Sequence, residues 1–240
     1  MGLGHQQWWD GEIRRFVRLD GANPPPKGGI LFVGSSIFRE WREMRDFDND
    51  FAPLPVINRA FGGSMTEDQL EVMDAIVFPH EPRVLVYYCG SNDLNMGVQP
   101  AEILENFRGW CARVREGLGD DVHILFVSIN RAPQKKPLWH VLDKANAAVE
   151  RYCETTPHTR YVDVNAVLFD GEGKPRYDLY REDGLHFYSR AYDEFLTVMR
   201  DEVELAWREA TATGKAVGDG GNGEPGAAGD DAFLPPGMRR

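Results

Sequence analysis

The sequence predicts one doubly wound α/β domain, and two observations lead to that fold class. Short runs rich in apolar and β-branched residues alternate along the chain with longer stretches of helical, 3.6-residue periodicity. Several of the short runs are apolar at nearly every position, as strands buried on both faces of a parallel sheet must be. Because strands separated regularly by helices imply right-handed crossovers, helices should cover both faces of the sheet.

Five runs are predicted as strands, and five periodic stretches are predicted as helices between and after them. The predicted strands are residues 30–33, 55–58, 84–88, 122–128 and 160–164. The predicted helices are residues 37–47, 66–78, 101–118, 138–152 and 189–207. This order predicts a three-layer α/β/α architecture around a flavodoxin-like, doubly wound sheet of about five parallel strands.

The two ends of the chain differ from this pattern. An amphipathic stretch with Trp9, Ile13, Phe16 and Val17 on one side predicts an extra N-terminal helix before three consecutive prolines at 24–26. Residues 214–240 contain eight Gly and three Pro. Such a segment has too few large apolar side chains to offset the conformational entropy that ordering would cost. We therefore predict a folded domain over 1–213 and a disordered tail over 214–240.

Composition excludes several functional classes. The 240 residues carry 27 Lys and Arg against 38 Asp and Glu, and a net charge of −11 argues against a nucleic-acid binder. No run approaches the roughly 20 apolar residues of a membrane span. The first ten residues lack the features of a secretory signal, which predicts an intracellular, cytoplasmic protein.

The three cysteines, Cys89, Cys111 and Cys153, show no CxxC spacing and are predicted to be free thiols. Five of the six histidines are scattered without metal-ligand spacing, so neither a metal nor another cofactor is implied.

Short blocks of glycine and polar residues follow the predicted strands, at the edge where ligands bind in open α/β sheets. They are Gly34-Ser35-Ser36, Gly62-Gly63, Gly90-Ser91-Asn92-Asp93 and, before the last helix, Asp183 and His186. Each group has a simpler explanation in isolation, as a helix cap, a turn or a surface histidine. Their occurrence together, in this order and at one edge, favours a catalytic site.

These blocks resemble those of the SGNH hydrolases, also called GDSL esterases and lipases, over about residues 29–205. The resemblance implies that Ser36 is the nucleophile and that Asp183 and His186 form the DxxH pair completing the triad. It also implies an oxyanion hole formed by Ser36, Gly63 and Asn92.

The first block departs from the family's usual Gly-Asp-Ser. Gly34-Ser35-Ser36, with Trp41 downstream, looks like a bacterial-type GSS subgroup. The replaced aspartate lies outside the triad, so its loss concerns local positioning and subgroup more than catalysis. Two serines are candidate nucleophiles, and Ser36 is favoured because it directly precedes the hydrophobic Ile37.

The chemistry of these side chains agrees with the implied roles. A serine hydroxyl is a poor nucleophile at neutral pH, and His186 is suited to accept and return its proton. Asp183 is close enough in sequence to reach the other ring nitrogen and fix the tautomer. Backbone amides of Ser36 and Gly63 and the Asn92 amide group are donors for a developing oxyanion.

The predicted activity is that of a serine esterase acting on small or medium acyl esters, either a carboxylester hydrolase or a carbohydrate deacetylase. Lysophospholipid or thioester hydrolysis and acyl transfer remain open within this class. A non-catalytic binding module for an acylated ligand is the alternative from another class, supported only by Ser35. The predicted partner is a small-molecule acyl ester, and the oligomeric state is not readable.

Residues beside the catalytic blocks are candidates for the substrate pocket. They are Arg59, Phe61, Met65, Met96 and Tyr180. Packing in the core is an equally open role for each of them.

Overall fold

The computed structural model describes residues 6–212, within which five strands form one parallel sheet of order β2-β1-β3-β4-β5. The strands are β1 (Ile30–Gly34), β2 (Val56–Asn58), β3 (Val84–Tyr88), β4 (His123–Val127) and β5 (Thr159–Val162). All five predicted strands are present, within two residues of the predicted bounds. The strand order is that of a flavodoxin-like doubly wound sheet, so the predicted fold class is confirmed.

Helices lie on both faces of this sheet. They are α1 (Gln6–Ala22), α2 (Ser36–Met44), α3 (Phe47–Asp50), α4 (Thr66–Glu71), α5 (Met73–Ile76), α6 (Ser91–Asn95), α7 (Pro100–Leu118), α8 (Trp139–Thr155) and α9 (Arg190–Ala212). Short 3₁₀ segments cover Phe78–His80, Pro133–Leu138, Val164–Val167 and Tyr177–Leu179.

Two of the predicted helices are divided in the structure. The stretch 37–47 breaks after Met44 because Arg45 is extended, and the Asp46 side chain then accepts the Asn49 N–H and starts α3. The stretch 66–78 breaks at Val72, a buried residue between α4 and α5. The short helix α6 was not predicted, because five residues are too few to show a helical period.

Side chains of the strands alternate between two apolar cores. In β3, Val84, Val86 and Tyr88 point to the face covered by α2, α3 and α9. Leu85 and Tyr87 point to the face covered by α1, α5, α7 and α8. This two-sided burial is the reason that β3 is apolar throughout.

The predicted N-terminal helix is α1, and it packs on the second of these cores through Trp9, Ile13 and Phe16, which are buried. Val17, predicted on the same side, is instead 52% exposed. The predicted tail over 214–240 lies outside the described residues. Among residues 6–212, no helix is long and apolar enough to cross a membrane.

Gly34 allows the backbone at the end of β1 to lie very close to the backbone at the end of β3. Its φ of +137° is in the region that favours glycine, and an added Cβ would lie 1.9 Å from the carbonyl oxygen of Tyr88. The next residue, Ser35, donates its backbone N–H to that same oxygen at 3.0 Å. The start of α2, and with it Ser36, is thereby fixed at the carboxyl edge of the sheet.

Candidate active site

The structure brings the three predicted triad residues into one hydrogen-bonded series. Ser36, the first residue of α2, places its Oγ 3.1 Å from Nε2 of His186. Nδ1 of His186 lies 2.6 Å from Oδ2 of Asp183. Both residues belong to the loop that precedes α9, so the series joins two segments 150 positions apart in the chain.

Asp183 holds the backbone of its own loop as well as the imidazole ring. Its Oδ1 accepts the N–H groups of Leu185 and His186, each at 2.9 Å. The carbonyl of Gly184, a residue with φ +65°, accepts the N–H of Gln134 at 3.0 Å. The carboxylate therefore orients the histidine from both the ring and the main chain, and the loop is attached to the segment after β4.

Partial burial pushes the pKa of Asp183 upward, but the hydrogen bonds from the His186 ring and from the two backbone N–H groups outweigh it. The resulting pKa lies below the ordinary value for aspartate. Because folding lowers the pKa of Asp183, these bonds stabilise the folded state above about pH 3.9. This stabilisation is lost as the pH falls through the lowered pKa. The carboxylate is thus ionised wherever a histidine titrates.

The lowered pKa of Asp183 predicts the pH dependence of hydrolysis. We expect kcat/KM to rise along a single ionisation, that of the histidine base, because the lowered pKa of Asp183 adds no second step in the range where a histidine titrates. The measurement is kcat/KM for p-nitrophenyl acetate from pH 4 to 9. A rate independent of pH over this range would contradict a histidine base.

Ser36, not Ser35, presents its hydroxyl to the histidine. Ser35 is 2% exposed, and its side chain makes no capping hydrogen bond to α2. Its backbone N–H is engaged by the carbonyl of Tyr88. The geometry therefore favours Ser36 of the two candidate nucleophiles.

The three predicted oxyanion donors lie in segments that follow β1, β2 and β3. Ser36 is at the first position of α2, where a backbone N–H has no acceptor within the helix. Gly63 is in a turn with φ +65°. Nδ2 of Asn92, in α6, donates to the carbonyl of Ser64 at 3.0 Å and so couples the second and third segments.

Two charged residues hold these segments in place: Lys135, which the sequence did not single out, and Asp93 of the third block. Lys135 is 1% exposed, and its Nζ donates to the carbonyl of Ser91 at 2.8 Å and to Oδ1 of Asn95 at 2.7 Å. Burial lowers the pKa of Lys135 to about 8, although the nearby Asp93 opposes this shift. Asp93 is itself buried and accepts the backbone N–H of Thr66 at 3.0 Å. These contacts attach α6 to the start of α4 and to the loop after β4.

Replacing Lys135 by methionine should misplace α6, and with it Asn92. Since a displacement of about 1 Å can cost up to about 100-fold, we expect kcat to fall by roughly 10- to 100-fold with little change in KM. The measurement is steady-state hydrolysis of an activated ester. Lys136→Met is the matched control, because the neighbouring Lys136 is exposed. Equal activity of the two variants would contradict this role for Lys135.

Three of the predicted pocket residues are engaged in packing. Arg59 pairs with Asp20 through Nε at 3.1 Å. Phe61 is fully buried, with its ring centroid 5.7 Å from that of Trp9. Tyr180 is 3% exposed and packs on Phe187 at 4.7 Å. Phe61 and Tyr180 therefore lie in the core, whereas Arg59 is half-buried in its ion pair with Asp20. A role for these residues in the substrate pocket stays a prediction.

The other two pocket candidates, Met65 and Met96, retain solvent access. Met65 is half-buried beside the Gly63 turn, and Met96, directly after α6, is 69% exposed. Within the described residues, no group of three or more His, Cys, Asp or Glu side chains is arranged to hold a metal ion.

The α/β/α fold matches that of GDSL hydrolase structures. In the sequence, the profile of the GDSL-like lipase/acylhydrolase family matches residues 32–193, from β1 into α9. The chain belongs to this family of ester hydrolases. Membership of the GSS subgroup stays a prediction.

Several solved structures share the fold. A protein of Streptococcus pneumonia superposes with a TM-score of 0.70 at 20% identity, covering 81% of this chain and 92% of that one. A GDSL-like lipase of Bacteroides thetaiotaomicron has a TM-score of 0.67 at 16% identity, covering 81% and 98%. An acetylxylan esterase of Geobacillus stearothermophilus has a TM-score of 0.58 at 16% identity, covering 74% and 95%. No curated protein matches the sequence.

Proposed function

We propose that this protein is a serine esterase that hydrolyses small or medium acyl esters through an acyl-enzyme intermediate. The observation that carries the proposal is the continuous series from Ser36 Oγ to His186 Nε2 at 3.1 Å and from His186 Nδ1 to Asp183 Oδ2 at 2.6 Å. These distances let one imidazole accept the serine proton while the carboxylate holds its tautomer.

The reaction proceeds in two halves. Ser36 Oγ attacks the ester carbonyl as its proton passes to His186 Nε2, and the oxyanion forms beside the amides of Ser36, Gly63 and Asn92. His186 then protonates the leaving alcohol, which leaves Ser36 acylated. In the second half, His186 removes a proton from water as the water attacks the acyl carbonyl. His186 then returns this proton to Ser36 Oγ as the ester bond breaks, which releases the acid and the free serine.

The exposed fractions of the triad side chains support a substrate ester whose alcohol part remains in solvent. The Asp183 side chain is 48% exposed, whereas the His186 side chain is 25% exposed. An open rim of this kind admits a bulky alcohol, such as a carbohydrate. One structural neighbour is an acetylxylan esterase, so acetylated oligosaccharides join simple carboxylic esters as test substrates.

A series of p-nitrophenyl esters from acetate to palmitate tests the proposal, with wild type, Ser36→Ala and Ser35→Ala compared. We expect turnover that peaks at a short or medium acyl chain, disappears with Ser36 and survives the loss of Ser35. A fluorophosphonate probe, read by intact mass, should label wild type and not Ser36→Ala.

Neither turnover nor an adduct in the wild type would reject the esterase and favour the binding module for an acylated ligand. An adduct on Ser36 without turnover would retain the activated nucleophile and reject these esters as substrates. Turnover that persists in Ser36→Ala would reject the assigned nucleophile.

A further inference from the structure

The nucleophile helix buries a carboxylate that the mechanism above does not use. The buried residues of α2 are Ile37, Phe38, Trp41 and Glu40, which is 6% exposed. Glu40 follows Ser36 by four residues, so the two side chains share one face of the helix. A buried charge is costly unless it is paired, so the surroundings of Glu40 indicate what it does.

Glu40 lies among the charged groups of the active site. Its Oε1 is 3.8 Å from Nε2 of His186, on the side opposite the nitrogen that faces Asp183. The same oxygen is 3.3 Å from Nη2 of Arg39, and its Oε2 is 3.1 Å from Nη2 of Arg181. The two guanidinium groups pair with the carboxylate and so offset part of its negative charge.

Two further titratable groups adjoin this cluster. From α9, Tyr192 donates its hydroxyl to the carbonyl of Ile37 at 2.8 Å, and burial followed by the charge of Glu40 raises the pKa of Tyr192 well above its ordinary value. On α2 itself, Glu43 lies 3.6 Å from Nε of Arg39. Its side chain is 46% exposed and is paired with Arg39 instead of the imidazole.

Arg181 connects Glu40 to both ends of the catalytic loop. The Arg181 backbone N–H donates to the carbonyl of His186 at 2.7 Å, and its Nε donates to the carbonyl of Phe187 at 3.0 Å. The ion pair with Glu40 therefore fastens the loop that carries Asp183 and His186 to the helix that carries Ser36.

We propose that Glu40 is a positioning residue for the esterase reaction, stabilising the His186 imidazolium from the Nε2 side while Asp183 stabilises it from the Nδ1 side. The inference rests on the proposed function. In the reaction the imidazolium forms when the serine proton moves to His186, and a fixed negative charge nearby lowers the free energy of that state. A histidine held between two carboxylates is a stronger base than one held by Asp183 alone.

The test is an NMR titration of the His186 imidazole, assigned with His186→Ala, in wild type, Glu40→Gln, Glu40→Asp and Glu43→Gln. We expect Glu40→Gln to lower the titration midpoint by about one pH unit. Glu40→Asp keeps the charge at a greater distance and should lower it less. Glu43→Gln removes the same charge from the same helix and should leave the midpoint unchanged, as the matched control.

The acid limb of kcat/KM for p-nitrophenyl acetate should move to lower pH by the same amount in Glu40→Gln, and the plateau kcat should fall severalfold. A purely structural role would lower the melting temperature without moving either midpoint. If Glu40→Gln does not fold, a midpoint in Glu40→Asp equal to that of wild type overturns the proposal.

Equal midpoints in wild type and Glu40→Gln, or an equal shift in Glu43→Gln, would also overturn it. Because the titration follows the imidazole and not turnover, it separates the two proposals. A shifted midpoint in a protein without Ser36-dependent turnover would reject the esterase and retain the interaction of Glu40 with His186.

Discussion

Replacement of Ser36 by alanine is expected to lower kcat by about 10⁴- to 10⁶-fold, and His186→Ala is expected to do the same. The two side chains act as one unit, because the hydroxyl 3.1 Å from Nε2 is a nucleophile only when that nitrogen takes its proton. The double variant should therefore be no slower than either single variant. The measurement is single-turnover and steady-state hydrolysis of the best p-nitrophenyl ester.

Ser35→Ala is the control for this experiment, because Ser35 is the buried neighbour of the nucleophile. The hydrogen bond of the His186 ring goes to Ser36 Oγ and not to Ser35. Loss of activity in Ser35→Ala with full activity in Ser36→Ala would reverse the assignment. Losses that multiply in the double variant would show that the two residues act independently.

Asn92→Ala should lower kcat by about 10²- to 10³-fold with KM nearly unchanged, which corresponds to about 2.7–4 kcal/mol of lost transition-state stabilisation. The amide that bonds Ser64 has a second N–H, which is the group proposed to meet the oxyanion. Since the oxyanion develops only in the transition state, its loss should appear in kcat.

A suitable control is Gln99→Ala, which removes an exposed amide that bonds the carbonyl of Gly97. This variant should retain full activity and the wild-type melting temperature. A rise in KM at constant kcat in Asn92→Ala would instead mean that Asn92 binds the ground-state ester and is not an oxyanion donor.

The sheet could be predicted from sequence because its strands are buried on both faces and so are apolar throughout. The ends of the helices were harder to predict from sequence where the folded chain interrupts a helical stretch. Val72, with φ −93° and ψ 0°, separates α4 from α5 although it is buried and fits the continuous helical pattern. A helical period reports which face is apolar and does not report where packing bends the backbone.

The placement of the candidate pocket residues was less predictable than the placement of the candidate triad residues. Phe61 and Tyr180 stand next to catalytic blocks in sequence, yet both are buried, because a side chain beside a loop can point inward or outward. Lys135 belongs to a polar stretch with the pattern of a surface segment, but its ammonium group is buried against α6. Glu40 was not predicted either, although a carboxylate on the buried face of a short amphipathic helix departs from the helical period and could have indicated it.

The sequence by itself determined which chemical groups stand at the carboxyl ends of the strands, and in what order, because strand periodicity and chain direction place every such end on one edge. Tertiary structure decided which of those groups meet. The bond from Ser36 to His186, the ion pair from Glu40 to Arg181 and the bond from Lys135 to Ser91 join residues at least 44 positions apart. Such contacts depend on how the helices pack on the sheet, and local sequence patterns carry no information about that packing.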